Sequence, residues 1–111
     1  MNYFLDNNIL ASVTFASSLD SIAAYHEFEQ RNINIVSPKG YYYIPKAGDK
    51  ILLSSIQNPL ALGCLNQSNI NIAPGEIIIK NDSGAKIKLC NNGDIEINSL
   101  KINKDGKIIN L

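Results

Sequence analysis

Residues 75–111, the last third of the chain, constrain the fold more than any other stretch. They read GEIIIKNDSGAKIKLCNNGDIEINSLKINKDGKIINL, short alternating segments parted by Asn, Asp, Ser and Gly. Ile87 and Leu89 alternate with Lys86 and Lys88, Ile95 and Ile97 with Asp94, Glu96 and Asn98, and Leu100 and Ile102 with Lys101 and Asn103. A period of two is the mark of a strand with one buried face. Asp82-Ser83-Gly84, Asn91-Asn92-Gly93 and Lys104-Asp105-Gly106 supply tight turns between the runs. The expectation is a meander with Ile77, Ile79, Ile87, Leu89, Ile95, Ile97, Leu100, Ile102 and Ile108 on one face. A sheet this small is not stable with such a face in water. Either the first two-thirds of the chain covers it, or copies of the same chain do.

Length and charge narrow the partners. A chain of 111 residues has room for one domain, or for a small domain with a short extension. Ten basic and ten acidic residues are scattered along it and cancel, so nothing marks a binder of nucleic acid or of anionic membrane. The opening MNYFLDNN has no basic segment and carries Asp6, which argues against a secretory leader. The longest apolar region, residues 51–65, is interrupted by Gln57, Asn58 and Pro59 and is too broken to span a bilayer. A cytosolic site of synthesis follows. Cys64 and Cys90 are distant in sequence, each beside an apolar neighbour, and are expected as reduced thiols in the interior rather than as a disulfide.

Upstream of the meander the pattern is again β. ILASVTFA at residues 9–16 reads as a first strand, and SIAAYHEFEQ at 21–30 as a second, because Ile22, Ala24, His26 and Phe28 alternate. RNINIV at 31–36 is a third, followed by the turn Ser37-Pro38-Lys39-Gly40 and the aromatic run Tyr41-Tyr42-Tyr43-Ile44. KILLS at 50–54 and LALGCL at 60–65 complete five strands with no confident helix. Five short strands in about 60 residues suggest a small closed barrel, since closure removes exposed edges. The expected hinge is residues 66–74, giving a barrel over residues 1–68 and a second unit over 69–111.

These residues also carry a resemblance. Pro45-Lys46-Ala47-Gly48-Asp49-Lys50-Ile51-Leu52-Leu53, Ala61-Leu62-Gly63, Gly75-Glu76-Ile77-Ile78-Ile79, Gly84-Ala85-Lys86-Ile87-Lys88-Leu89 and Gly93-Asp94-Ile95-Glu96-Ile97 follow in order. The series resembles the baseplate spike proteins, of the baseplate assembly V type, of contractile phage tails and phage-tail-like bacteriocins. Over residues 9–98 the resemblance implies an all-β chain. A barrel of the oligonucleotide/oligosaccharide-binding (OB) type comes first, then a short, intertwined triple-stranded β-helix shared by three chains. It implies a homotrimeric spike that docks on the tail hub protein, closes the tube and punctures the target cell envelope. Such a protein is made in the bacterial cytoplasm without a signal peptide and assembled into the baseplate, with or without a separate tip protein. The nine apolar residues become the trimer core.

Three departures from that family matter. The β-helical part is short, so the spike is stubby. No His-x-His pair lies near the C-terminus, where some relatives bind an apical iron, so no metal is expected. No lysozyme-like insertion fits the length.

The remaining residues with chemical potential have plainer readings. His26 beside Glu27 has no serine or cysteine motif to work with and reads as structural or exposed. Asp94 and Glu96 share a strand face, as solvated carboxylates usually do. Asp82 and Asp105 lie in loops without the ligand count of a calcium site, and Gly84-Ala85-Lys86 lacks the glycine spacing of a phosphate loop. No catalytic residue and no cofactor is expected. Tyr41, Tyr42 and Tyr43 are candidates for barrel packing or contact with a partner. They also support the competing reading, an OB-type binding module that stacks single-stranded nucleic acid or glycan on its aromatics.

Overall fold

The structure, a computed structural model, describes residues 8–55 and 57–110. Residues 1–7 of the opening considered for a leader, together with Ile56 and Leu111, lie outside the described residues. Two compact units meet in sequence between Gln67 and Ser68. Among the described residues there are ten regular elements, all of them strands.

The first unit holds β1 (Ile9–Ala16), β2 (Ile22–His26), β3 (Phe28–Ile35), β4 (Lys50–Leu53) and β5 (Leu60–Cys64). They close into a barrel in the order β1-β2-β3-β5-β4, with β1 pairing β4 to seal it. Only β3 and β5 run parallel. This is a small OB-type barrel. Inward alternation builds its core: Ala11, Val13, Ile22, Ala24, Ile33, Ile51, Leu53 and Ala61 are all buried. Three alanines among the eight fit the narrow interior of a five-stranded barrel, where five branched side chains fill the remaining space.

One boundary differs from the sequence reading. Residues 21–30 are not one strand, because the chain reverses at Glu27, which has φ 67°, and His26 pairs with Phe28 across it. Where the reading divided two strands, at residues 30–31, the structure instead continues β3 through a bulge. Ile22 faces Ile33 and Ala24 faces Gln30, with Asn32 at φ 57° absorbing the extra length.

The second unit holds β6 (Ile77–Lys80), β7 (Lys86–Leu89), β8 (Ile95–Ile97), β9 (Leu100–Ile102) and β10 (Ile108–Asn110). They form one antiparallel sheet in sequential order. All three glycine turns lie between the strands they were expected to join. A fourth, at Asn98-Ser99, joins β8 to β9 without a glycine, with Asn98 at φ 53°. Asparagine tolerates that conformation better than other side chains, which explains its use there.

Candidate functional site

Directly opposed residues of antiparallel strands share a face, so the registers show how the apolar residues line up. Ile77 faces Leu89, Leu89 faces Ile95, Ile95 faces Ile102 and Ile102 faces Ile108. Ile79 faces Ile87, Ile87 faces Ile97 and Ile97 faces Leu100. The nine residues singled out in the sequence therefore form two rows on one face, the first across all five strands and the second across β6 to β9. None of them is buried. Six are exposed, from Ile77 and Ile79 at 54% each down to Leu89 at 41%, and Ile95, Leu100 and Ile102 are half-buried.

The opposite face carries Ile78, Lys88, Glu96 and Lys101 in register. Here the charged groups are the better covered. The Lys88 and Glu76 side chains retain only 17% and 12% of their exposure and lie 3.4 Å apart, while Lys86 and Glu96 approach to 4.0 Å. Surface pairs of this kind contribute about 0.5 kcal/mol. They do not explain why the sheet holds its apolar face open, and that face is the candidate site.

Glu76 fastens the start of this sheet. Its Oε1 accepts from the Ala73 amide at 3.1 Å and its Oε2 from the Asn91 amide at 3.1 Å, beyond the reach of β6 pairing. Those two amides, Asn91 before Ala73, and then the Lys88 ammonium hold the carboxyl below the usual carboxylate range. A depressed folded pKa stabilises the fold above the unfolded carboxylate pKa, and the effect is lost as pH falls through the folded value. Glu76→Gln should accordingly lower the melting temperature at neutral pH. The gap from the parent protein should narrow as pH falls below about 4. Melting curves of the two proteins across pH 3–8 check this. A gap that widens on acidification contradicts it.

Asparagines finish the turns. The Oδ1 atoms of Asn81 and Asn103 each accept two amides of their own turn, from Ser83 and Ala85 and from Asp105 and Lys107. Cys90 occupies the matching position of the middle turn, where Asn92 Oδ1 takes the Asp94 amide instead. The Cys90 thiol donates to Glu96 Oε2 at 3.5 Å; burial first, then Glu96, pushes its pKa up and keeps it protonated. Neither Cys90 nor Cys64 is in a disulfide, and both are half-buried.

The other residues considered in the sequence do not converge. Tyr41, Tyr42 and Tyr43 lie in the β3–β4 connection, all three exposed, with Tyr43 the least so and beside Cys64. Burial, then Cys64, pushes the Tyr43 phenol up to about 12. An open cleft of about 440 Å³ lies elsewhere on the barrel, lined by Phe15, Ala23, Glu29 and Arg31 among others but by no tyrosine. Within it Glu29 accepts from Thr14 at 2.7 Å and from Arg31 at 3.0 Å, so its one cation is already paired. A basic groove beside stacked aromatics, as single-strand binding needs, is not assembled here. His26 is exposed, 4.0 Å from Glu27. Among the described residues no group of three or more His, Cys, Asp or Glu is placed to hold a metal ion.

The cleft and the Glu76 bracket escaped the sequence reading. Both join residues 15 or more apart whose types are unremarkable, and only the registers bring them together. No protein-family model matches the chain, and no curated protein matches it in sequence.

Proposed function

We propose that the protein is a homotrimeric central spike at the tip of a contractile injection apparatus. The observation that carries this reading is the pair of apolar rows left open on a sheet whose other face carries its own ion pairs.

Three copies cover those rows better than two. The strands are three or four residues long, so every apolar residue sits within two residues of a turn. Two such sheets stacked as a sandwich leave both rows at open sides. Three sheets facing a common axis bring each turn-bearing side against the next copy. Packed sheets stand about 10 Å apart, so each lies about 5 Å from the axis, and a triangular prism of that size has sides of about 17 Å. A four-residue strand spans about 13 Å, and its turns supply the rest.

The mechanism is mechanical. A closed ring of short strands, each paired within its own chain and sealed against two neighbours, has no long free side from which to peel under axial load. The barrel is the part assigned to the tail hub protein, and the trimeric meander the part that meets the target envelope when the sheath contracts. A separate tip protein is compatible with it. No catalytic group is used, and wall-degrading activity belongs to other components.

An antibody to this chain tests the role. In immunogold electron microscopy of contractile particles released by producing bacteria, label is expected at the distal end of the tail. Label along the sheath, or no particle labelled, overturns the spike assignment.

A further inference from the structure

The meander has two dissimilar long sides. The turns at residues 81–85 and 98–99 lie on one side, and the chain entry at 73–76 with the turns at 90–94 and 103–107 on the other. Because successive turns alternate, those on one side are offset by one strand spacing, about 4.8 Å, from those on the other.

On the second side two notches, the intervals in height between the entry and the middle turn and between the middle and last turns, are each bridged by a close contact. Between the entry and the middle turn, Gly75 faces the Asn91 side chain; a Cβ there would lie 2.7 Å from Asn91 Oδ1. Asn91 Nδ2 also donates to the Pro74 carbonyl at 3.0 Å. Between the middle and last turns, Gly93 faces the stem of Lys104, where a Cβ would lie 3.0 Å from the Lys104 Cβ. Both glycines have φ 93°, and neither notch floor has room for a larger side chain. Two notches on one side thus match two turns on the other.

Resting on the trimer reading, we infer that each subunit boundary is formed by these two sides. The Ser83 turn of one copy seats at the Gly75–Asn91 notch of the next, and the Asn98-Ser99 turn at the Gly93–Lys104 notch. Symmetry makes this a definite prediction. A closed three-fold ring of identical chains admits no shift along its axis, so unlike sides meet at equal height, and like sides never meet. The half-step offset then sets each turn level with a notch. This places the boundary beside the ends of both apolar rows, which it seals from water.

Paired cysteines test the match in the full chain with Cys64→Ser and Cys90→Ser. Ser99→Cys with Asn92→Cys, and independently Ser83→Cys with Asn92→Cys, put the two thiols about one strand spacing apart in height across the boundary. That lies within the usual Cα separation of a disulfide. Within one chain these residues lie on opposite sides of the sheet, so any link is between copies. Mild oxidation should convert both variants to a reductant-sensitive three-chain species of 3 × 12.2 = 36.6 kDa. Ser83→Cys with Asp105→Cys, about 14 Å apart in height, should not link, nor should Ser99→Cys alone. Light scattering on the same samples separates the two ideas. A trimeric mass without the first two links, or with links in the controls, overturns the side-to-side match and leaves the trimer standing. A single-chain mass in the cysteine-free parent overturns both.

Discussion

Replacing Ile97 by aspartate should leave the protein as single chains under conditions in which the parent is expected as a trimer. Ile97 lies in the middle of the second apolar row, between Ile87 and Leu100. Three copies would bring three carboxylates into one layer around the axis, within about 10 Å of each other and away from water. Desolvating a carboxylate costs several kcal/mol, and here three of like sign repel. The Ile97 contribution, about 1 kcal/mol per chain for the half still exposed in a single copy, is lost as well. Ile95→Asp, in the first row, should behave in the same way. Lys101→Ser, on the opposite face of the same sheet, should not disturb assembly. Sedimentation of the three variants checks the assignment of faces. An Ile97→Asp protein that still sediments like the parent means that this face is not the shared core.

Ile51→Ala should strike the other unit and leave assembly intact. Ile51 is fully buried, opposite Ala11 on β1 and Cys64 on β5, at the seam that closes the barrel. Its two small or slim neighbours cannot move in to fill the space, so the loss falls near the middle of the usual range, about 3 kcal/mol. For a unit of this size that lowers the barrel's melting midpoint by roughly 15 °C. On the proposed reading the trimer is held by a different unit with its own sheet, so the mass should not change. Loss of the trimer together with the barrel would show that the barrel supplies the assembly contacts.

The two units were not equally legible in the sequence. In the second, every pairing joins neighbours along the chain. Alternation around Ile87 or Ile95 fixes a face, Gly84, Gly93 and Gly106 fix the reversals, and the rows follow. Only the reversal at Asn98-Ser99 lacked a glycine to announce it. In the first unit, the chain turns at Glu27 between His26 and Phe28, none of which is a turn former, so β2 and the start of β3 looked continuous. Local periodicity also carries no information on which distant strands pair. The β1–β4 seam and the parallel β3–β5 contact depend on complementary cores, and the barrel type came from motif order rather than from alternation. The Glu76 bracket was invisible for a similar reason. A glutamate before a strand is ordinary, and its value lies in reaching Asn91 in the turn after β7.

The most direct measurement is the solution mass of the purified chain by light scattering or native mass spectrometry over a wide range of dilution. The account predicts 36.6 kDa, three chains of 12.2 kDa, persisting on dilution. A mass of one chain, 12.2 kDa, or of two, 24.4 kDa, would contradict a core shared by three copies.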